Sequence, residues 1–181
     1  NLHFPESREK LEFARHRLKF EEIFFYMIPI VKNKLNNKLE KPGIYINPKS
    51  KSARQLYDDL PFELTSDQKK VLREIAADIK SGRPMNRLLQ GDVGSGKTIV
   101  AVLTLLMAID QGFQTAFMAP TEILAEQHYH SLSNFFENLG IKVTRLVGGQ
   151  NKRMRTQVKE EISSGEAKVI VGTHAMFQAD L

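Results

Sequence analysis

The stretch Arg87-Leu88-Leu89-Gln90-Gly91-Asp92-Val93-Gly94-Ser95-Gly96-Lys97-Thr98-Ile99-Val100-Ala101 decides how the rest of the chain is read. Its centre, Gly91 to Thr98, matches the phosphate-binding pattern GxxxxGK[ST]. It lies between a short apolar run and the start of a helical pattern, the strand-loop-helix context that gives the pattern its meaning. Glycines let the backbone fold around a phosphate so that successive N–H groups point inward, and the dipole of the following helix favours negative charge there. Lys97 is then placed to reach the β- and γ-phosphates of a nucleotide, and the Thr98 hydroxyl to ligate Mg²⁺. A glycine-rich turn without a ligand leaves the Lys97-Thr98 pair unexplained.

Downstream, apolar strand-like runs alternate with helical periods. Strands are expected at 87–90, 115–119, 142–146 and 168–171, with helices between them ending near Gln111, Leu139 and Ser164. This βαβαβαβ order predicts an α/β fold, a parallel sheet covered by helices. Gly112, Gly140 and Gly165 stand just past the helix ends, where a left-handed cap favours glycine. Open α/β sheets bind ligands at the carboxyl ends of their strands. The loops leaving those ends are Ala119-Pro120-Thr121-Glu122, with Thr121 placed as a helix N-cap, then Gly148-Gly149, then Gly172-Thr173-His174. Upstream, in Phe62-Glu63-Leu64-Thr65-Ser66-Asp67-Gln68, Thr65 and Gln68 have the spacing of a capping box opening a helix to Lys80. A glutamine that reads adenine is the second reading of that cluster, and both stay open.

Toward the N-terminus, residues 7 to about 39 show apolar residues at three- and four-residue steps, predicting a long amphipathic helix with a kink at Pro29. Residues 40–52 have linker chemistry, and a short helical pattern runs on to Asp59. The expected organisation is a helical, basic linker region over 1–55 and a second domain over 56–181. The formal net charge of +5 is concentrated in the first third, where residues 1–54 carry 12 Lys and Arg against 6 Asp and Glu. Such a segment suits a polyanion partner, or is a solvated lysine-rich helix face. With no cysteine and no histidine pair at metal-ligand spacing, any metal must be held by oxygen. The longest apolar run, Ile23 to Val31, is nine residues, too short for the roughly 30 Å of bilayer hydrocarbon, and a cytoplasmic protein is expected.

A guanine-reading NKxD motif is missing, since neither Asn33-Lys34 nor Asn151-Lys152 is followed by Asp at the required place. Hydrolysis also needs a carboxylate at a strand end beside the Mg²⁺. The chain has no Asp-Glu dipeptide, and Asp110 is read as a surface residue at a helix end. The first residue is Asn and the last follows an apolar run, so the chain is expected to be a piece of something longer.

The sequences Pro84 to Thr98 and Met118-Ala119-Pro120-Thr121-Glu122-Ile123-Leu124-Ala125-Glu126-Gln127-His128 resemble the RecG family of branched-DNA helicases, superfamily 2 translocases related to the repair-coupling translocase Mfd. Leu2-His3-Phe4-Pro5 and Ala14-Arg15-His16-Arg17-Leu18 are similar to that family's helical link between wedge and motor. The resemblance implies the first part of a RecA-like P-loop motor domain, a parallel sheet with flanking helices, preceded by a long linker helix. It implies ATP and Mg²⁺ as cofactors. It implies DNA as partner, at forks and junctions or single-stranded regions, in repair and recombination, with no membrane and a monomeric intact protein. In that resemblance Gly91 to Thr98 is motif I, with Lys97 the catalytic residue, and Phe62, Thr65 and Gln68 match the adenine-reading Q-motif. Thr121 matches motif Ia, and Gly148, Gly149, Gly172, Thr173 and His174 match loops that grip the DNA backbone. Motif II, motif III, the second motor domain with its arginine finger, and the wedge are expected outside the chain. Alone it is therefore expected to bind nucleotide without turnover and to self-associate through an incomplete sheet. A non-hydrolysing nucleotide-dependent scaffold is the alternative from another class.

Overall fold

The computed structural model describes residues 2–40 and 42–177; residues 178–181, the tail of the expected second domain, lie outside them. The chain divides into two units, Asn1–Ile44 and Tyr45–Leu181. The division falls about ten residues before the expected 55, because the helix Lys51–Asp59 is bonded to the second unit and Leu56 is buried in its core.

The first unit is helix α1, Arg8–Glu40, with Ser7 accepting the Lys10 N–H at its start. Pro29 lies inside this one helix rather than ending it. Its charged residues form i,i+3 and i,i+4 pairs, Arg15 with Glu12 and Arg17 with Glu21 at 2.7 Å. Its apolar residues, Ile23, Phe24, Phe25, Tyr26 and Met27 among them, are exposed. Among the described residues no helix is long and apolar enough to cross a membrane.

In the second unit the helices α2 (Lys51–Asp59), α3 (Ser66–Lys80) and α4 (Lys97–Ile109) precede the strand β1 (Thr115–Met118). Then come α5 (Glu122–Glu137), β2 (Val143–Leu146), α6 (Lys152–Ser163), β3 (Val169–Gly172) and a single 3₁₀ turn, His174–Phe177. The strands form one parallel sheet in the order β1-β3-β2, with Val169 of β3 opposite both Thr115 and Val143. The chain passes from β1 over β3 to β2, then steps back to β3. Right-handed crossovers in opposite directions must lie on opposite faces of a sheet. Accordingly α5, with α4 and α2, covers Val169 and Val171, while α6 covers Ile170 and Leu146. Between them β3 is buried on both faces, which is why it reads as a continuous apolar run. Phe136, Leu132, Leu106 and Val102 are fully buried in the larger cluster. Gly112, Gly140 and Gly165 take positive φ past their helix ends, as expected.

One expected strand is not a strand. Residues 87–90 have no regular secondary structure and join no ladder, so the sheet among the described residues has three strands where four are expected. A parallel strand is stabilised only by a neighbour, and β1 pairs on one side only, with β3. Side chains hold this segment instead: Arg87 reaches Glu74 at 2.6 Å and Asp78 at 2.7 Å on α3, and Leu89 packs with the α3–α4 cluster while Leu88 is exposed.

Asp110 lies where expected, exposed at a helix end, and it has a structural task there. At the end of α4 it accepts hydrogen bonds from Ser50 Oγ at 2.8 Å, Ser52 N at 3.0 Å and Ser52 Oγ at 2.6 Å, and so ties down the start of α2. Burial alone would raise its pKa, but the bonds from Ser52, Ser50 and the Lys51 backbone hold it below the ordinary carboxylate value.

Candidate functional site

The sequence-predicted residues gather into two groups. The first surrounds the phosphate loop. Gly94 and Gly96 take φ of +80° and +76°, the left-handed values that let the loop reverse direction before α4. Gly96 is the N-cap of α4 and supplies no side-chain cap, so the first N–H groups of a largely buried helix have no side chain to satisfy them. Lys97 folds back over the loop, its Nζ donating to the carbonyls of Gly91 at 2.8 Å and Asp92 at 2.6 Å. Ser95 N–H closes the turn on Asp92. Val93 points fully into solvent, and Thr98 sits half-buried in the first turn of α4.

Thr65 and Gln68 form the expected capping box: Thr65 Oγ1 accepts from Gln68 N, and Gln68 Oε1 accepts from Thr65 N at 2.8 Å. The same amide does more. Gln68 Nε2 donates to the Ser95 carbonyl at 2.9 Å, joining the start of α3 to the phosphate loop. The left-handed φ favours glycine at Gly96, and a Cβ there would also displace that Nε2 from its place on the loop. Phe62 lies exposed just before the box.

The second group lies at the carboxyl edge of the sheet. Thr121 caps α5, accepting from Leu124 N at 3.3 Å. Gly148 and Gly149 follow β2 and are exposed, with the Glu122 carboxylate against them. Gly172 ends β3 and accepts from Ala119 N at 2.8 Å, which draws the ends of β1 and β3 together. A side chain at Gly172 would overlap the Leu146 carbonyl and Met176. Thr173 accepts from Met176 N, and His174 is exposed. Because all strands are parallel, the loops bearing Thr121, Gly148-Gly149 and Thr173 emerge at one edge. Spacing alone does not reveal Gln150, which is bonded to Arg145 and Val147 in the loop after β2, or Arg87, which ties residues 87–90 to α3. Among the described residues no cluster of three or more carboxylate or histidine side chains forms a metal site.

Residues 65–181 match the model of the DEAD/DEAH box helicase family. The chain belongs to that family. The match takes in Thr65 and Gln68, the phosphate loop, and the loops after β1, β2 and β3, so both groups of residues apart from Phe62 fall within the matched range. Among curated relatives, the ATP-dependent DNA helicase RecG of Streptococcus pneumoniae is 45% identical over 98% of the chain, which spans 26% of that protein. RecG of Synechocystis is 42% identical over 98% of the chain, spanning 21% of its length. The chain thus spans about a quarter of the length of the curated relatives it matches. A solved structure of RecG bound to a three-way DNA junction superposes over 98% of the chain with a TM-score of 0.87 and 42% identity, and the chain covers 24% of it.

Proposed function

We propose that this chain is the nucleotide-binding part of the first motor domain of an ATP-dependent DNA helicase acting on branched DNA, at forks and junctions, in repair and recombination. The observation that carries the reading is the phosphate loop: two left-handed glycines, a lysine folded over it, and an uncapped helix N-terminus behind it. The fit to a nucleotide is good because the N–H groups that α4 leaves without a cap are the donors a phosphate chain needs. Gly91, Asp92, Val93, Gly94, Ser95 and Gly96 would hold the phosphates, Lys97 would place its charge on the β- and γ-phosphoryl oxygens, and Thr98 would hold Mg²⁺. That ion, when bound, neutralises developing charge on the phosphates. Phe62, Thr65 and Gln68 would receive adenine. Lys97 must first leave the Gly91 and Asp92 carbonyls, exchanging two neutral acceptors for a polyanion, a stronger charge-assisted partner.

Thr121, Gly148, Gly149, Gly172, Thr173 and His174 would grip phosphates of one DNA strand, which fixes position without reading sequence. In the intact protein the nucleotide would lie between two motor domains whose closure steps them along DNA, in the cytoplasm and as a monomer. On this reading the residues of this chain bind nucleotide, and turnover needs a carboxylate beside the Mg²⁺ that the described residues do not supply.

Calorimetry with ATP and Mg²⁺ tests the reading. Micromolar-to-millimolar binding that Lys97→Ala abolishes, with no phosphate release, is expected. Undiminished binding by Lys97→Ala overturns the assignment of the loop, and steady turnover overturns the requirement for a further carboxylate. DNA affinity should fall steeply with salt through counterion release; a salt-independent affinity refutes the phosphate grip.

A further inference from the structure

The loop between β2 and α6 is held by a contact that no motif describes. In the order β1-β3-β2 the outer edge of β2 is open. The Lys142 carbonyl faces β3, accepting from Lys168 N at 3.0 Å, so by strand alternation Arg145 and Val147 turn their backbone groups away from the sheet. Two of these groups are satisfied by one side chain. Gln150 Nε2 donates to the Arg145 carbonyl at 2.9 Å, and Gln150 Oε1 accepts from Val147 N at 3.3 Å. The primary amide thus offers the edge what the peptide group of another strand would offer.

The contact also closes the chain Val147-Gly148-Gly149-Gln150 into a small ring, between the end of β2 and Asn151, the N-cap of α6. Val147 is buried and anchors one side of the ring. On the side where a side chain would leave Gly148, the Glu122 carboxylate is already present: a Cβ there would lie 3.2 Å from Oε1. Glu122 follows the N-cap Thr121, so the ring is held next to the start of α5. Among the described residues the N–H groups of Gly148 and Gly149 have no hydrogen-bond partner within the chain, and both glycines are exposed.

We propose that Gln150 is a positioning residue for nucleic-acid binding: its amide, seated on the open edge of β2, holds the Gly148-Gly149 donors beside Thr121 in the arrangement that meets a backbone phosphate. The proposal rests on the reading of that loop as a phosphate grip. Two flexible glycines would otherwise lose considerable conformational entropy on binding, and a ring closed in advance has already lost it. Gln150 itself touches no ligand.

The test uses Gln150→Leu, which removes both bonds, and Gln150→Glu, which keeps an acceptor for Val147 N–H but sets a carboxylate oxygen against the Arg145 carbonyl. Amide hydrogen exchange at Val147 reads the latch directly. Affinity for a synthetic three-way DNA junction at fixed low salt reads its consequence, and ATP affinity with the thermal midpoint reads the fold. The expected result is exchange at Val147 faster by about tenfold in Gln150→Leu and less in Gln150→Glu, as one or two hydrogen bonds are lost. Junction affinity should fall roughly three- to tenfold in Gln150→Leu, with ATP affinity unchanged in both variants. Unchanged exchange at Val147, or faster exchange with unchanged junction affinity, overturns the proposal. Gly148→Asp, which sets a carboxylate among the donors, separates the two levels. If it abolishes junction binding while Gln150→Leu does not weaken it, the grip stands and the latch falls. If it leaves binding intact, the grip itself is wrong.

Discussion

Removing the Asp110 carboxylate should loosen α2 from the rest of the second unit by an amount that the structure lets one estimate. Asp110→Ala deletes the acceptor for three hydrogen bonds, from Ser50 Oγ, Ser52 N and Ser52 Oγ, while Ser50 keeps its own capping bond with Ala53 N at 2.8 Å. Helix α2 therefore remains capped, and what is lost is its tether to the end of α4. A hydrogen bond to a charged group contributes about 1.5–3 kcal/mol where water is excluded. This carboxylate is solvent-exposed, and screening reduces each bond to about 0.5 kcal/mol, giving a total near 1.5 kcal/mol. For a unit of this size that is a fall of roughly 4–8 °C in Tm. The pH dependence has a definite sign. Because the folded pKa lies below the ordinary carboxylate value, the stabilisation is fully present above that value and is lost as pH falls through the folded one. Thermal melts from pH 7 to pH 3 should show the gap between the parent chain and Asp110→Ala narrowing below about pH 4. In a Ser50→Ala/Ser52→Ala background, where of these three donors Ser52 N alone remains, Asp110→Ala should cost about a third as much. Identical melts at pH 7, or a gap that does not change with pH, would show that α2 is held by Leu56 and its apolar neighbours alone.

Other substitutions test the core and the phosphate loop. Gln68→Glu keeps the acceptor for Thr65 N but loses the donor to the Ser95 carbonyl, so ATP affinity should fall several-fold by calorimetry with little change in Tm. Gln68→Ala loses both contacts and should cost about 1 kcal/mol of stability in denaturant melts as well. Phe136→Ala empties a fully buried site between α5 and the sheet and should cost about 3–5 kcal/mol by urea titration. Gly172→Ala should destabilise comparably through overlap with the Leu146 carbonyl, read as a lowered Tm, since backbone cannot yield as a flexible side chain does.

The alternation of strands and helices was legible because apolar runs such as Val169-Ile170-Val171 contrast with the three- and four-residue periods of α5 and α6, and the observed strands fall within a residue of expectation. The capping box was legible because both its partners lie three residues apart. Pairing is a different matter. Residues 87–90 have strand composition, yet whether a segment joins a ladder depends on which strands lie beside it. The tether at Asp110 spans 58 and 60 residues, and no local pattern announces so distant a partner. The Gln150 contact spans only five, but an amide lying on an edge strand has no periodicity to betray it. Gln68 was legible as a choice between a cap and a base reader. The structure shows the cap, and adds the bond to Ser95 that neither reading contains.

That bond limits what Gln68 has left to give. A primary amide carries two N–H donors and an oxygen with two lone pairs. One donor is committed to Ser95 and one lone pair to Thr65 N–H, so a single donor and a single acceptor site remain. Such a pair matches the edge of adenine, whose N7 accepts and whose N6 amino group donates, and it mismatches guanine, whose N7 and O6 both accept. Base selectivity at this position would thus be a matter of counting: by bracing the phosphate loop, the residue spends the second donor that guanine would require.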